Sequence, residues 1–416
     1  MPSDGPLAPP NVPNAWTVRP LRLVTTLIKD GTHGTHKRVE SGIPFLSAKN
    51  ITNEGTVMFD ESDSQVAQED FDTIHKSYRM KSGDILLTVV GSLGRHALLR
   101  ADPEFTIQRS VAVIRPSGVM YPAYLDHYFS GTHFQGQLDG RSNSTAQAGV
   151  YLGELAKIPV TVPPLPEQKK IAAILSSVDE AIQATQAVIE QTRRVKEGLL
   201  QDLLTRGIGH TRFKQTEIGE IPESWEVRKV SEVARVVAGG TPSRSADGLY
   251  GGSIPWVKSG EVNDYRIRTT EETITEVALS ESAAKLIPKG STLIAMYGAT
   301  AGVVGFLEVD AATNQAIAAL IPKKRVGAAY LFFAAQAGTN RLMRQVQGSG
   351  QPNLNGKMIK NLWLPVPPPA EQERIAAIFE SIDIDVERAT ATSDALAGVK
   401  AGLLQDLLTG KVRVSV

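Results

Sequence analysis

The stretch VKEGLLQDLLT at Val195–Thr205 returns with one change as VKAGLLQDLLT at Val399–Thr409. An earlier echo precedes each copy: PPLPEQKKIAAIL at Pro163–Leu175 and PPPAEQERIAAIF at Pro367–Phe379. Both pairs are separated by the same 204 residues, close to half of the 416-residue chain. A chain that repeats itself at a fixed offset is built from equivalent parts, and this offset makes two halves. A two-fold object of this kind suits a two-fold partner.

Outward from these echoes, apolar or small residues recur at alternating steps of four and three. The first copy has Ile171, Leu175, Val178, Ile182, Thr185, Ile189, Thr192, Lys196, Leu199 and Leu203. The second has Ile375, Phe379, Ile382, Val386, Ala389, Ser393, Leu396, Lys400, Leu403 and Leu407 at the matching places. Such a heptad-like seam predicts two long helices packed side by side. Each opens after a proline cluster that cannot lie inside a helix, with Glu167 or Glu371 in the first turn, where the helix dipole favours an acid. Each stops at a glycine, Gly207 or Gly410. A helix of about 38 residues is roughly 57 Å long, more than a small domain is wide, so these helices are struts or spacers. Thr185, Thr192 and Ser393 weaken the seam, and a lysine sits on it at the same place in each copy. The seam pairs the helices within one chain or joins two chains. Within one chain, two equal halves about a two-fold axis set the helices antiparallel.

The rest of each half reads as a mixed domain, which makes the fold class α+β. Short strands bounded by Gly and Pro are expected at 84–90, 111–116 and 158–162, with counterparts at 291–297, 316–321 and 362–366. The frame repeats with different side chains: GIPFLSAKNIT (Gly42–Thr52) against SIPWVKSGEVN (Ser253–Asn263), and Trp16 against Trp225. The offset drifts from 211 through 207 to 204, so insertions lie in the mixed domains while the helices keep step. A shared skeleton with different side chains suggests one scaffold reading two different things. The expected boundaries are a flexible leader 1–15, a mixed domain 16–163, a helix 164–206, a Gly-rich linker 207–222, a mixed domain 223–366, and a second helix with its tail at 367–416.

Charge is balanced at 44 basic and 44 acidic residues, so a nucleic-acid surface needs basic groups concentrated on one face or supplied by a partner. The chain has no Cys, which removes disulfides, thiol nucleophiles and Cys-based zinc sites, and agrees with a reducing cytoplasm. The N-terminal residues lack a signal-peptide pattern, and no run of about 18 apolar residues offers a membrane span. GQPNLNGKM (Gly350–Met358) does not have P-loop spacing. The Asn- or Asp-Pro-Pro-aromatic turn of adenine methyltransferases is missing. His33 and His36 lack a third metal ligand and read as a solvated loop. Catalysis by this chain alone is not expected.

The PPLPEQ…IAAIL…GLLQDLLT helix, the TEIGEIPESWEV segment (Thr216–Val227) and a second pass through QPNLN…LPVPPPAEQ (Gln351–Gln372) resemble the specificity subunit of type I restriction-modification systems. The likeness covers the chain after the leader, with the motifs in order and twice. The resemblance implies two target-recognition domains separated by antiparallel helices. Each domain then reads one half of a bipartite, asymmetric site on double-stranded DNA. It also implies two modification subunits that methylate adenine at N6 with S-adenosylmethionine. Restriction subunits add translocation and cleavage driven by ATP and Mg. No cofactor is expected on this chain, which is not an enzyme by itself, and the location is cytoplasmic. Two other readings stay open: a coiled-coil scaffold with no DNA role, and a self-sufficient methyltransferase.

Loops between the matched strands are the natural base readers. In the first half these are Ser47, Lys49, Asn50, Ser92, Arg95, Gln108, Arg109, Arg141, Ser142 and Asn143. In the second half they are Lys258, Ser259, Glu261, Tyr297, Thr300, Asn314, Gln315, Gln347, Gln351 and Asn353. Arg and Lys suit guanine edges or phosphates, and Asn and Gln suit adenine. Gln108 with Gln315, and Gln147 with Gln351, align across the halves; identical residues in domains reading different sequences point to scaffold or backbone contacts.

Overall fold

The computed structural model describes residues 12–142, 148–346 and 353–415. The chain divides into two compact units, Met1–Gln186 with Ala391–Val416, and Ala187–Thr390. The division falls inside both long helices, not between helix and mixed domain. Each unit therefore holds one mixed domain and one part of each helix.

In the first unit, an antiparallel sheet runs in the order Thr25–Asp30, Val111–Pro116, Ile85–Thr88, His96–Leu98. Its central strands are apolar over Ile85–Leu87 and Val111–Ile114 because both faces are covered, and the period of two sorts their side chains. Ile85, Leu87, Ala112 and Ile114 face Tyr124, Leu125, Phe129 and Phe134 together with Ile171, Leu175, Leu407 and Leu408 of the long helices. Leu86, Val111 and Val113 face Leu46, Ile51 and Ile107. The last three belong to a second four-stranded sheet and its flanking turn, where Phe45 pairs in parallel with Thr106.

The second unit repeats this plan. Its main sheet runs Ala234–Ala238, Ile317–Pro322, Thr292–Ala295, Val304–Leu307, Arg266–Ile267, and its second sheet pairs Trp256 in parallel with Ala312. One helix, Ala328–Val346, stands where the first unit has two, Pro122–Ser130 and Thr132–Asp139. The stretch 207–222, expected as a linker, contains a hairpin of Phe213–Thr216 with Gly219–Pro222, and Ile221 at its end is fully buried. Its polar composition hid the pairing.

The long helices span Leu165–Leu203 and Pro369–Thr409. Every seam position named above is buried or half-buried. In the first unit, Glu167 near the start of one helix meets Arg413 beyond the end of the other at 2.5 Å, and Asp179 meets Lys400. In the second unit, Ile208 N donates to Glu371 Oε1 at 3.0 Å, and Asp383 meets Lys196. The helices are thus antiparallel and paired within the chain. Among the described residues, no helix is long and apolar enough to cross a membrane.

The repeated Glu-Gln pair does more than greet a helix dipole. Trp16 Nε1 donates to Glu167 Oε2 at 3.1 Å, and Trp225 Nε1 donates to Glu371 Oε2 at 2.9 Å. Buried Gln168 accepts from Tyr121 N at 2.7 Å and donates to Pro163 O at 2.8 Å; buried Gln372 accepts from Gly327 N at 3.0 Å and donates to Pro367 O at 2.8 Å. Each helix start is fastened to its own mixed domain by the same side chains.

Candidate nucleic-acid interface

In the first unit, three turns and one strand-like segment are tied together by backbone hydrogen bonds. Gln108 N donates to Leu46 O at 2.8 Å, Val89 N to Ser110 O at 2.9 Å, Gly91 N to Ala148 O at 3.0 Å and Val150 N to Val89 O at 2.9 Å. Ala48 N adds a bond to Ser110 Oγ at 3.1 Å. Ser47–Asn50, Gly91–Gly94 and Gln108–Ser110 therefore form one edge. Ser92 and Arg109 are exposed on it. Gly31 presses on the back of the third turn: a Cβ there would stand 2.2 Å from Ile107 O and 2.4 Å from Gln108 O, so only glycine permits this approach.

The second unit builds the same edge. Asn314 N donates to Val257 O at 2.9 Å, Met296 N to Ala316 O at 2.8 Å and Leu354 N to Met296 O at 2.6 Å. Gly239 is the backstop, where a Cβ would lie 2.2 Å from Asn314 O. Tyr297, Gln315 and Asn353 are exposed here. The equivalent strands Val111–Pro116 and Ile317–Pro322 are offset by 206 residues. Gly31 N to Val111 O and Gly239 N to Ile317 O fix the same register. Gln108 therefore corresponds to Asn314, and Arg109 to Gln315. The sequence alignment of Gln108 with Gln315 was one residue out, because the first half has one extra residue between the strands Ile85–Thr88 and Val111–Pro116.

The proposed base readers fare unequally. Asn50 is buried, its Oδ1 accepting from Ser47 N at 2.9 Å and its Nδ2 donating to Met58 O at 3.0 Å. Glu261 is buried likewise, accepting from Lys258 N at 2.7 Å and Glu271 N at 2.8 Å. Both are withdrawn as base contacts, since their polar atoms brace the turns that carry Lys49 and Lys258. Lys49 pairs with Asp63 at 2.6 Å, and its hydrogen bond holds the Asp63 carboxyl down at about 2. Lys258 bridges Glu271 and Glu272 at 2.5 and 3.2 Å, which raises its pKa. Ser259 opens the turn that Glu261 braces.

Arg95 is half-buried and donates to Ile51 O at 3.4 Å, and Arg141, just past the end of the helix Thr132–Asp139, donates to Gln137 O at 3.0 Å. Ser142 N donates to Asp139 O at 3.0 Å, and Thr300 O accepts from Val303 N at 2.9 Å. Asn314 Oδ1 accepts from Ala316 N at 3.1 Å and so shapes its own turn. Asn143, Gln347 and Gln351 lie outside the described residues, as does Gln147. His33 pairs with Asp30 at 2.6 Å and His36 with Thr32 at 2.8 Å. Sequence reasoning missed Gly31, Gly239 and Thr241, whose hydroxyl donates to Gln315 Oε1. No motif marks them, because their role is close approach across the fold.

Residues 13–192 and 222–393 match the model of the type I restriction modification DNA specificity domain. The chain belongs to this family. A Methanocaldococcus jannaschii chain assigned as the specificity subunit of the type I restriction enzyme MjaX is 26% identical over 422 residues, 97% of this chain and 95% of that one. The specificity subunit of the Escherichia coli K12 enzyme EcoKI is 22% identical over 406 residues, 89% of this chain and 82% of its own. The crystal structure of the type I system S subunit from M. genitalium shares the fold at a TM-score of 0.59 and 15% identity, covering 96% of this chain and 99% of the other. As a type I DNA specificity subunit, the chain carries two target-recognition domains, one in each unit.

Proposed function

We propose that this chain is the DNA-reading, non-catalytic member of a type I restriction-modification assembly. Each recognition domain reads one half of a bipartite, asymmetric site, and the paired helices set the unread gap. The observation that carries this reading is the pair of equivalent turn clusters, identically braced but carrying different exposed side chains. Rigid elements make precise readers, and differing tips on one frame suit two different half-sites.

The helices also supply the platform for two modification subunits. Fold and seam account for identity at buried positions of the repeated motif. They do not account for Val195 and Val399, which are 46% and 53% exposed, or for exposed Gly198 and Gly402, Gln201 and Gln405. Identical exposed residues in both copies fit two copies of one partner. S-adenosylmethionine enters with those subunits, and ATP and Mg with restriction subunits. Co-expression with the cognate modification subunit in a host without adenine methylation, followed by mapping of methylated adenines, tests the reading. The expected result is one bipartite motif that needs both proteins. Methylation by this chain alone, or none with the partner, contradicts it.

A further inference from the structure

The two edges place an arginine and a glutamine at the same point of one frame. Arg109 and Gln315 are each the middle residue of the turn braced by glycine 31 or 239 and by the Leu46 or Val257 carbonyl. Both are exposed. Among the described residues, no ion pair or side-chain hydrogen bond engages Arg109, whereas Arg95, Arg115 and Arg141 are all engaged by protein groups. Arg109 thus presents its five-donor fork from a turn held by backbone hydrogen bonds. Gln315 is oriented by the Thr241 hydroxyl on its Oε1, which leaves the Nε2 hydrogens free and the oxygen able to accept again.

We infer that Arg109 and Gln315 are paired specificity-determining residues: Arg109 reads a guanine in one half-site and Gln315 an adenine in the other. This rests on the reading of the chain as a DNA specificity subunit. The chemistry follows from the major-groove code. An arginine fork matches the O6 and N7 acceptors of guanine, and a carboxamide matches the N6 donor and N7 acceptor of adenine. Equivalent positions in the two domains make the residues interchangeable in geometry, so the base at one place in each half-site follows the side chain and not the surroundings.

The test uses the full chain co-expressed with its cognate modification subunit, with methylated adenines mapped across the host genome. The wild-type motif comes first; a missing bipartite motif overturns the DNA-reading function itself, and this inference with it. With that motif in hand, Arg109→Ala should make one G·C pair of one half-site degenerate. Discrimination there should fall by roughly 5- to 150-fold, with the other half-site unchanged. Gln315→Ala should do the same at one A·T pair of the other half. Arg109→Gln should move the preference at its pair from guanine toward adenine.

Arg109→Lys separates base reading from phosphate contact, because lysine keeps the charge and loses the fork. Relaxation at the same G·C pair supports the inference. A lysine variant with the wild-type motif, beside an alanine variant weakened uniformly at all sites, overturns it. So do variants that leave both half-sites intact, or that both act on the same half. Thermal melting of each purified variant should match wild type, since neither side chain packs in a core; a lowered melting temperature for Arg109→Ala would assign that residue to the scaffold instead.

Discussion

Lys400 Nζ lies 2.5 Å from Asp179 Oδ1 on the helix seam of the first unit. The second unit repeats the pair as Lys196 with Asp383, but in different surroundings. The first pair is 25% and 28% exposed, the second 12% and 10%. Tyr265 donates to Asp383 Oδ2 at 3.0 Å and, with Phe333, offers its ring to the Lys196 ammonium. Burial lowers the Lys196 pKa although Asp383 opposes that shift. The same two residues therefore make a half-wet bridge in one unit and a dry one in the other.

Removing the ammonium should therefore cost unequally. Lys196→Met leaves the buried Asp383 carboxylate with Tyr265 and with Arg266 at 3.6 Å, and should destabilise by about 2–3 kcal/mol. Lys400→Met should cost about 1 kcal/mol or less, as water reaches Asp179. Urea denaturation of the two variants measures the difference; equal midpoints would contradict it.

The first unit should weaken in mild acid. Six of the seven histidines lie in it. Burial lowers the pKa of His75 and His133, and of His127 against the opposing pull of Asp126 and Asp179, all from about 6.5. The folded state then binds fewer protons than the unfolded chain, so the stability of this unit is full above pH 6.5 and falls as pH drops below it. Hydrogen exchange at pH 7.5 and pH 5.5 should show protection lost in the first unit and kept in the second. His127→Phe, which installs the residue found at the equivalent Phe333, should shrink the effect.

The backstop glycines should be separable by half-site. Gly31→Ala drives a methyl group into backbone oxygens at 2.2 and 2.4 Å, and Gly239→Ala does so at 2.2 and 2.3 Å. Neither obstacle is a flexible side chain, so each turn must shift, at roughly 1–3 kcal/mol. Mapped methylation should show a loosened half-site for each, and a different half for each. Loosening of both halves by one substitution would show that the edges are not independent.

Helix length should govern the gap and nothing else. Four residues inserted after Gln186 and four after Thr390 add about 6 Å to each helix. The methylated motif should keep both half-sites and gain unread base pairs between them. Changed half-sites with the old gap would refute the strut as a ruler.

Much of this architecture was legible because it repeats. The seam needed only a period of 3.5, and Ile171, Leu175, Ile375 and Phe379 are buried as that period requires. Strands such as Val111–Pro116 announced themselves by continuous apolar residues between turn formers. The turn register did not, because the shared Gln108 and Gln315 invite an alignment one residue off; the hydrogen bonds to the Leu46, Val257, Val111 and Ile317 carbonyls fix it. Asn50 and Glu261 looked like readers because sequence shows a polar residue in a loop but not which way its side chain turns. The hairpin at Phe213–Pro222 was hidden by its polar surface.

The fastening of each helix start has an optical consequence. Trp16 is the sole tryptophan of the first unit, whereas Trp225, Trp256 and Trp363 all belong to the second. A chain with those three replaced by Phe carries one tryptophan, buried and bonded to Glu167. Its emission should report the first helix start alone as that start comes loose.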